Sequence, residues 1–155
     1  MTVTPLVRVQ AEDFDAGQEA QELTRNRKDV GALVSFVGLC RDEAGTLSAL
    51  ELEHYPGMAE AELTRIANQA IDRWPLTGLT VVHRFGKIPP GENIVLVIAA
   101  SAHRRAAFEA ADFLMDFLKT RAPFWKKEHL VSGEESTWVE AKSGDDDDAA
   151  RWVNT

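Results

Sequence analysis

Three short apolar runs constrain the fold more than any other feature of the sequence. They are "VGALVSFVGLC" (residues 30–40), "LTVVHRF" (79–85) and "NIVLVIAA" (93–100). The first is too apolar and too rich in β-branched residues for an exposed loop, so it predicts a buried strand. The other two are separated by "GKIPPGE", which is a strong turn signal.

Two further segments show the alternation and turn residues of strand pairs. "TLSALELEHY" (46–55) places leucines on one side and glutamates on the other, which predicts a strand with one wet face. It should form a hairpin with the run at 30–40 across "RDEAG". Near the C-terminus, "EHLVSGEESTWVEA" (128–141) predicts a second hairpin whose turn is "SGEE".

Helical periodicity accounts for the longer remaining segments. One amphipathic helix closed by Pro75 carries apolar residues at spacings of four, three, four and four, namely Ala59, Leu63, Ile66, Ala70 and Trp74. A second helix is predicted over 102–120, with Ser101 as its N-cap and Pro123 as its stop. Its apolar stripe contains Phe108, Ala111, Met115 and Leu118.

Because strands and helices do not alternate regularly, the predicted class is α+β, with mixed or antiparallel sheets and two main amphipathic helices. A shorter helix is expected within 13–26. At 155 residues, 45% of them hydrophobic, the chain fits a single domain over 1–155. A polar acidic tail starts at about 143 and contains the run Asp145 to Asp148.

Charge and targeting signals narrow the class of protein. The sequence has no apolar segment of the roughly 18 residues that a membrane span needs, and no signal-peptide pattern. One cysteine, Cys40, cannot form an internal disulfide. We therefore expect a cytoplasmic protein without a membrane partner. A pI near 5.0 argues against nucleic-acid binding.

A cluster of cations stands out against a formal net charge of −8. It occupies "LKTRAPFWKKE" (118–128), where Lys119 and Lys126 flank a proline, a phenylalanine and a tryptophan. A focused cationic site of this kind suits a small anion. Lys119 also has a simpler explanation, since a cation in the last helical turn suits the negative end of the helix dipole. An ordinary basic surface loop is the alternative for Lys126.

At the start of the second helix, positively charged residues are expected where the helix dipole disfavours them. His103, Arg104 and Arg105 are expected in its first turn, where free backbone N–H groups favour anions and disfavour cations. A bound phosphate or carboxylate would relieve this conflict. The alternative is that these are surface cations, tolerated at a cost of a few tenths of a kcal/mol, about the lower end of dipole effects.

Other chemistry has less support. The histidines are widely spread and form no metal-binding spacing, so we predict neither a metal nor a cofactor. His54 and His83 lie in strand-like segments and are expected to be structural. Cys40 adjoins Arg41, which favours a reactive thiolate, but the end of an apolar strand favours a buried role.

Six motifs together resemble the large, catalytic subunit of molybdopterin synthase, the MoaE family. They are "ELEHYPGMAEAEL", "DRWPL", "HRFGKIPPGE", "SAHRRAAFEA", "FLMDFLKTRAPFWKKE" and "WVEA", and the resemblance covers roughly residues 30–142. The resemblance implies an α/β hammerhead-like fold and a sulfurtransferase. Such enzymes convert cyclic pyranopterin monophosphate (precursor Z) into molybdopterin by installing two dithiolene sulfurs.

The resemblance also implies the partners and the site. Each sulfur arrives as a thiocarboxylate on the C-terminal Gly-Gly of a small ubiquitin-like subunit, and the large subunit dimerises to give a heterotetramer. The family's catalytic lysines correspond to Lys119 and Lys126. Its substrate-binding positions correspond to Leu39, Cys40, Arg41, His103, Arg104, Lys127, Glu128 and Lys142. Arginine is expected in relatives at Lys142, and Cys40 is not expected to carry sulfur.

Helix length adds a geometric prediction. His103 and Lys119 are sixteen residues apart, which separates them by roughly 24 Å on one helix. If both belong to one site, they come from different subunits of a two-fold dimer. The sequence leaves two alternatives to a sulfurtransferase. One is a non-catalytic module that binds a phosphorylated ligand or a partner's tail, and the other is a structural adaptor.

Overall fold

The computed structural model describes residues 3–120, 122–139 and 152. Within these residues the elements follow the order β1 (Leu6–Gln10), α1 (Ala16–Thr24), β2 (Ala32–Leu39), β3 (Leu47–His54), α2 (Met58–Arg73), β4 (Leu76–Arg84), β5 (Gly86–Ile88), β6 (Asn93–Ser101), α3 (Arg104–Thr120) and β7 (Phe124–Leu130). The predicted α+β class with mixed and antiparallel sheets is confirmed. No helix among the described residues has the length and apolar character needed to cross a membrane.

A four-stranded sheet, the large sheet, forms the centre of the fold in the order β1-β4-β6-β2. β1 runs parallel to β4, and the other neighbours are antiparallel. Successive side chains of a strand point to opposite faces. Accordingly Val95 and Val97 of β6 pack with α2 and α3, whereas Leu96 and Ile98 pack with Phe14 and α1. The sheet is therefore covered by helices on both faces.

A three-stranded antiparallel sheet, the small sheet, lies beside it in the order β5-β3-β7. Its buried contacts are few: Cys40, Leu52 and Ile88 form a cluster with a handful of half-buried neighbours. The predicted hairpin forms, but its turn consists of residues 131–133 and so starts one residue before "SGEE", since the amide of Leu130 donates to the carbonyl of Glu134 at 2.9 Å. The returning chain bridges back to the small sheet through His129 with Glu135 and Lys126 with Val139.

The predicted hairpin between residues 30–40 and 46–55 is wrong. β2 pairs with β6, and β3 pairs with β5 and β7, so the two strands belong to different sheets. The reason is burial. Leu33 and Val34 of β2 pack on opposite faces of the large sheet, while the alternating β3 suits a sheet with a wet face.

The two long helices form as predicted, with differences at the start of the second. α2 buries Ala59, Leu63, Ile66 and Ala70, as the spacing indicated. Ser101 is not the N-cap of α3, because it is the last residue of β6 and its hydroxyl donates to the carbonyl of Pro75 at 2.8 Å. Phe108 is 60% exposed, so it is not part of the buried stripe. That stripe consists mainly of alanines together with Phe113, Leu114 and Leu118.

Two smaller elements differ as well. The predicted short helix within 13–26 is confirmed as α1, which starts after Asp15, whose carboxylate caps the amide of Gln18. β1 was not predicted. In the "GKIPPGE" turn, residues 86–88 form β5, which pairs with β3.

Candidate active site

Lys126 lies in the middle of β7, directly opposite Leu52 of β3. Because opposed residues share a face of the sheet, the Lys126 side chain is on the side of Leu52 and the small-sheet cluster. On the other edge of the strand its backbone is hydrogen-bonded to Val139. The Lys126 amide donates to the Val139 carbonyl at 3.1 Å, and the Val139 amide donates to the Lys126 carbonyl at 2.8 Å. The lysine is half-buried. Strand pairing on both edges therefore holds Lys126 in place.

Lys119 lies in the last turn of α3 and is exposed. Its charge influences His83 in β4. The pKa of His83 is lowered to about 4, mainly by burial and further by the charges of Lys119 and His54. A hydrogen bond to the backbone of Arg84 acts in the opposite direction. Only three residues separate the end of α3 from Phe124, whose ring is stacked on that of His83. This places Lys119 at the junction between the two sheets.

Four rings, which we call the ring stack, join β4, β3 and β7 at this junction. The ring of Phe124 is parallel to that of His83, with centroids 3.9 Å apart and planes at 13°. The ring of Phe124 also lies 5.8 Å from that of His54, which in turn lies 4.4 Å from Phe85. Phe124 is the first residue of β7, two positions before Lys126. The ring stack therefore adjoins both predicted catalytic lysines.

The end of β2 and the residues that follow it bring Leu39, Cys40 and Arg41 to the small sheet, where Cys40 joins the buried cluster. Cys40 is buried, and its backbone amide donates to the carbonyl of Glu92 at 2.8 Å. Burial raises the pKa of its thiol, and nearby carboxylates including Glu128 raise it further. A buried thiol with a raised pKa is a poor nucleophile, which favours the structural interpretation of Cys40.

Leu39 and Arg41, on either side of the cysteine, are both exposed. Leu39 is the last residue of β2. Arg41 forms an ion pair with Glu43, and both side chains face solvent. An exposed ion pair is weak, so the guanidinium of Arg41 remains available to another anion.

Arg104 is the first residue of α3, and His103 precedes the helix rather than lying in its first turn; both are exposed. Within the described part of the chain, neither side chain has a hydrogen bond or ion pair, whereas Arg105 approaches Glu109 at 4.0 Å. The structure does not bring them to the lysines of the same chain. They lie at the opposite end of α3 from Lys119, roughly 22–24 Å away at 1.5 Å per residue.

The remaining predicted substrate-binding residues take different positions. Lys127 points to the opposite face of β7 from Lys126, where its ammonium is 3.5 Å from Glu135 and 4.5 Å from the centre of the Trp138 ring. Glu128 is exposed and close enough to Cys40 to influence its thiol. Lys142 and the aspartate run 145–148 lie outside the described residues.

An open aromatic cleft of about 430 Å³ lies at the end of the small sheet. Its lining consists of Glu53, His54, Tyr55, Trp125 and Trp138. None of the predicted site residues lines it, although Trp125 adjoins Lys126 in sequence. Among the described residues, no three histidine, cysteine or acidic side chains are placed to hold a metal ion.

The sequence did not single out the ring stack as part of the site. His83 and His54 were expected to be structural, and Phe124 was noted only as a bulky neighbour of Lys126. One signal was available: a histidine in the otherwise apolar run "LTVVHRF" must be buried with a specific partner. The ring on which His83 stacks, that of Phe124, lies 41 residues further along the chain, and local sequence patterns do not predict contacts at that separation.

Comparison with known proteins gives consistent results. Residues 9–121 match the family model described as MoaE protein. A molybdopterin synthase catalytic subunit from Mesorhizobium japonicum is 69% identical over 153 residues, covering 99% of this chain and 96% of that protein.

Solved structures agree. A molybdopterin biosynthesis MoaE protein from Burkholderia ambifaria superposes with a TM-score of 0.83 at 46% identity, covering 96% of this chain and 97% of that one. The same fold occurs in a complex of subunits 1 and 2 of molybdopterin-converting factor from Helicobacter pylori. There the TM-score is 0.71 at 22% identity, with 88% of this chain and 90% of that chain covered.

Proposed function

The chain belongs to the MoaE family, and from that membership we propose that it is the catalytic subunit of a molybdopterin synthase. It transfers sulfur from the C-terminal thiocarboxylate of a small ubiquitin-like subunit to precursor Z, which makes the dithiolene of molybdopterin. The observation that carries the assignment of the site is the junction at His83. There the end of α3 with Lys119 meets the start of β7 with Lys126.

The cations have an electrostatic purpose in this reaction. Precursor Z carries a phosphate and the partner carries a thiocarboxylate, so the two reactants repel each other. A unit charge pair at 4 Å is worth about 4 kcal/mol at an effective dielectric constant of 20. Ammonium groups that are already in place offset the repulsion without further reorganisation. The acidic surface elsewhere is screened beyond about 8–10 Å.

Each group of residues has a proposed role. Lys119 and Lys126 promote attack of the thiocarboxylate sulfur on the pterin side chain. A carbon–sulfur bond forms there as a carbon–oxygen bond of the side chain breaks, and water then hydrolyses the acyl–sulfur bond, which returns the partner as a carboxylate. The remaining site residues hold the phosphate and the pterin: Arg41, His103 and Arg104, with Leu39, Cys40, Lys127, Glu128 and Lys142 around them.

A complete site requires two copies of the chain. Lys119 and the pair His103 and Arg104 occupy opposite ends of α3, so one small substrate cannot contact both in a single subunit. We infer that each site combines the lysines of one protomer with His103 and Arg104 of its partner across a two-fold axis. One small subunit then binds at each end, which gives a heterotetramer.

The proposed location of the protein is based on its free cysteine. The described cysteine is a buried free thiol, and we place the protein in the cytoplasm, where thiols stay reduced. We propose a single domain over residues 1–155, with an acidic tail from about 143. Neither a nucleic acid nor a membrane is a proposed partner.

The direct test is to incubate the purified chain with precursor Z and a thiocarboxylated small subunit and to monitor dithiolene formation. The proposed function predicts product that depends on all three components. A Lys119→Ala chain should bind precursor Z normally yet form little product. If instead the wild-type chain binds precursor Z and releases it unchanged in the presence of the partner, the protein is a binding module.

A further inference from the structure

His83 is the residue of the ring stack that is held from two directions. Its imidazole is buried, and its Nδ1 lies 2.9 Å from the carbonyl oxygen of Arg84. A carbonyl only accepts hydrogen bonds, so Nδ1 carries the ring proton and donates it. The face of the same ring is stacked on Phe124. The hydrogen bond therefore fixes the plane on which Phe124 rests.

Phe124 lies between the two lysines along the chain. It lies five residues after Lys119 and two before Lys126, at the point where the chain leaves α3 and enters β7. Its amide donates to the carbonyl of Ala122 at 2.8 Å, which closes a tight turn just before the strand. Moving the Phe124 ring would therefore shift the start of β7 relative to the end of α3.

The charge of the histidine matters as well as its shape. Lys119 of α3 and His54 of β3 both act electrostatically on His83, and the His54 ring lies 5.8 Å from that of Phe124. Burial keeps the imidazole neutral at neutral pH. A neutral ring provides a flat stacking surface without adding a positive charge near the ammonium group of Lys119.

We propose that His83 is a positioning residue of the sulfur-transfer site: its ring supports Phe124 and thereby sets the position of Lys126 relative to Lys119. The inference rests on the proposed function, because it assumes that these two lysines act together. His83 itself contacts neither reactant. Its effect should appear in the transfer step rather than in the binding of precursor Z, whose phosphate is held by Arg41, His103 and Arg104.

Three substitutions separate the ring from its hydrogen bond. His83→Ala removes both and should lower kcat by about 10- to 100-fold, the effect of misplacing a reacting group by roughly 1 Å. KM for precursor Z should change less than about threefold, since its binding residues lie elsewhere. His83→Phe keeps a flat ring against Phe124 and should restore most of kcat. His83→Gln keeps a donor for the Arg84 carbonyl without the ring and should not.

Val82→Ala provides the matched control. Val82 is the neighbouring residue on β4 and is fully buried, but it packs on the opposite face of the large sheet with Phe14, Leu96 and Ile98. It should lower the stability of the protein without touching the ring stack. The loss of kcat in His83→Ala should exceed that in Val82→Ala even after correction for the folded fraction.

The backbone position of Lys126 gives a readout that does not depend on turnover. In ¹H–¹⁵N spectra the Lys126 amide should shift in His83→Ala and His83→Gln, and much less in His83→Phe and Val82→Ala. Equal turnover and unchanged Lys126 shifts in all four variants would overturn the proposal, as would rescue by Gln rather than Phe. If the wild type lacks activity but the shifts follow the predicted pattern, the proposed function fails and the coupling of His83 to Lys126 stands.

Discussion

The large and small sheets differ sharply in how they are built. In β6, at the centre of the large sheet, every residue from Val95 to Ser101 is buried, and helices cover both faces. In β7 of the small sheet none of the seven residues is buried, and all of them except Leu130 have a charged or aromatic side chain. Burying apolar area provides stability, whereas charged groups near solvent remain available for chemistry. We therefore assign stability mainly to the large sheet and reactivity to the small one.

The ring stack is the place where the two regions meet. His83 belongs to the large sheet, and Phe124 belongs to the small one. A rigid sheet can position groups on a less buried strand only through such contacts, because precise sites need support from packed neighbours. The division between the two sheets can be tested by substitutions on either side of this contact.

The largest effect is expected for the lysine on the small sheet. Lys126→Ala should reduce the rate of dithiolene formation on the order of 10³-fold, within the range for losing an acid–base or activating group. Thermal stability should barely change, because the side chain is only half-buried. Lys87→Ala is the control, since Lys87 is an exposed cation on β5 of the same sheet. A similar loss in both variants would mean that general charge, rather than the position of Lys126, supports the reaction.

The complementary substitution lies in the large sheet. Leu96→Ala removes a fully buried side chain and should lower the free energy of unfolding by roughly 2–5 kcal/mol, as measured by urea denaturation. Turnover per folded molecule should remain close to that of the wild type, because Leu96 packs on the α1 face, away from the ring stack. A large loss of turnover in fully folded Leu96→Ala would break the division between the sheets.

A pH dependence of stability is expected from His83. Below pH 6.5 the unfolded chain binds a proton at this residue, whereas the folded chain does so only near its lowered pKa of about 4. The free energy of unfolding should therefore fall as the pH drops from 6.5 to 4, by roughly 3 kcal/mol at 1.36 kcal/mol per pKa unit. Comparing urea denaturation of the wild type and His83→Phe across this range isolates the contribution. Parallel curves for the two proteins would show that His83 takes up protons equally in both states.

The smallest effect is expected for Lys127 on the outer face of β7. Its ion pair with Glu135 is partly exposed, and such pairs contribute about 1 kcal/mol or less. Lys127→Ala should therefore lower the free energy of unfolding by no more than that, and Glu135→Gln should do the same. A change of several kcal/mol in either variant would show that the small sheet carries more of the stability than its burial indicates.

Local patterns in the sequence were sufficient for the elements whose burial follows a regular period. α2 and the body of α3 form where apolar spacings indicated, because a helix buries residues three and four apart. Pairing between strands was not predictable in this way. β2 lies seven residues before β3 but pairs with β6, more than fifty residues further along, because only the large sheet covers both of its faces.

In the candidate site, too, contacts between distant segments were not predictable from local patterns. The motifs that resemble the MoaE family pointed to Lys119 and Lys126, and these predictions await experiment. The stacking of His83 on Phe124 depends on how two sheets pack together, and no local spacing encodes it. Similarly, Ser101 has the residue type of an N-cap, but its hydroxyl donates to Pro75 across the fold.

The proposed sulfur transfer requires a site shared between two copies of the chain. The most direct measurement mixes a Lys119→Ala chain with a His103→Ala, Arg104→Ala chain, each inactive alone, after dissociation and reassociation. Random pairing makes half of the dimers mixed, and each mixed dimer holds one intact site, so about a quarter of the wild-type rate of dithiolene formation should return. If the mixed dimers form and no activity returns, the lysines and the start of α3 do not combine across subunits.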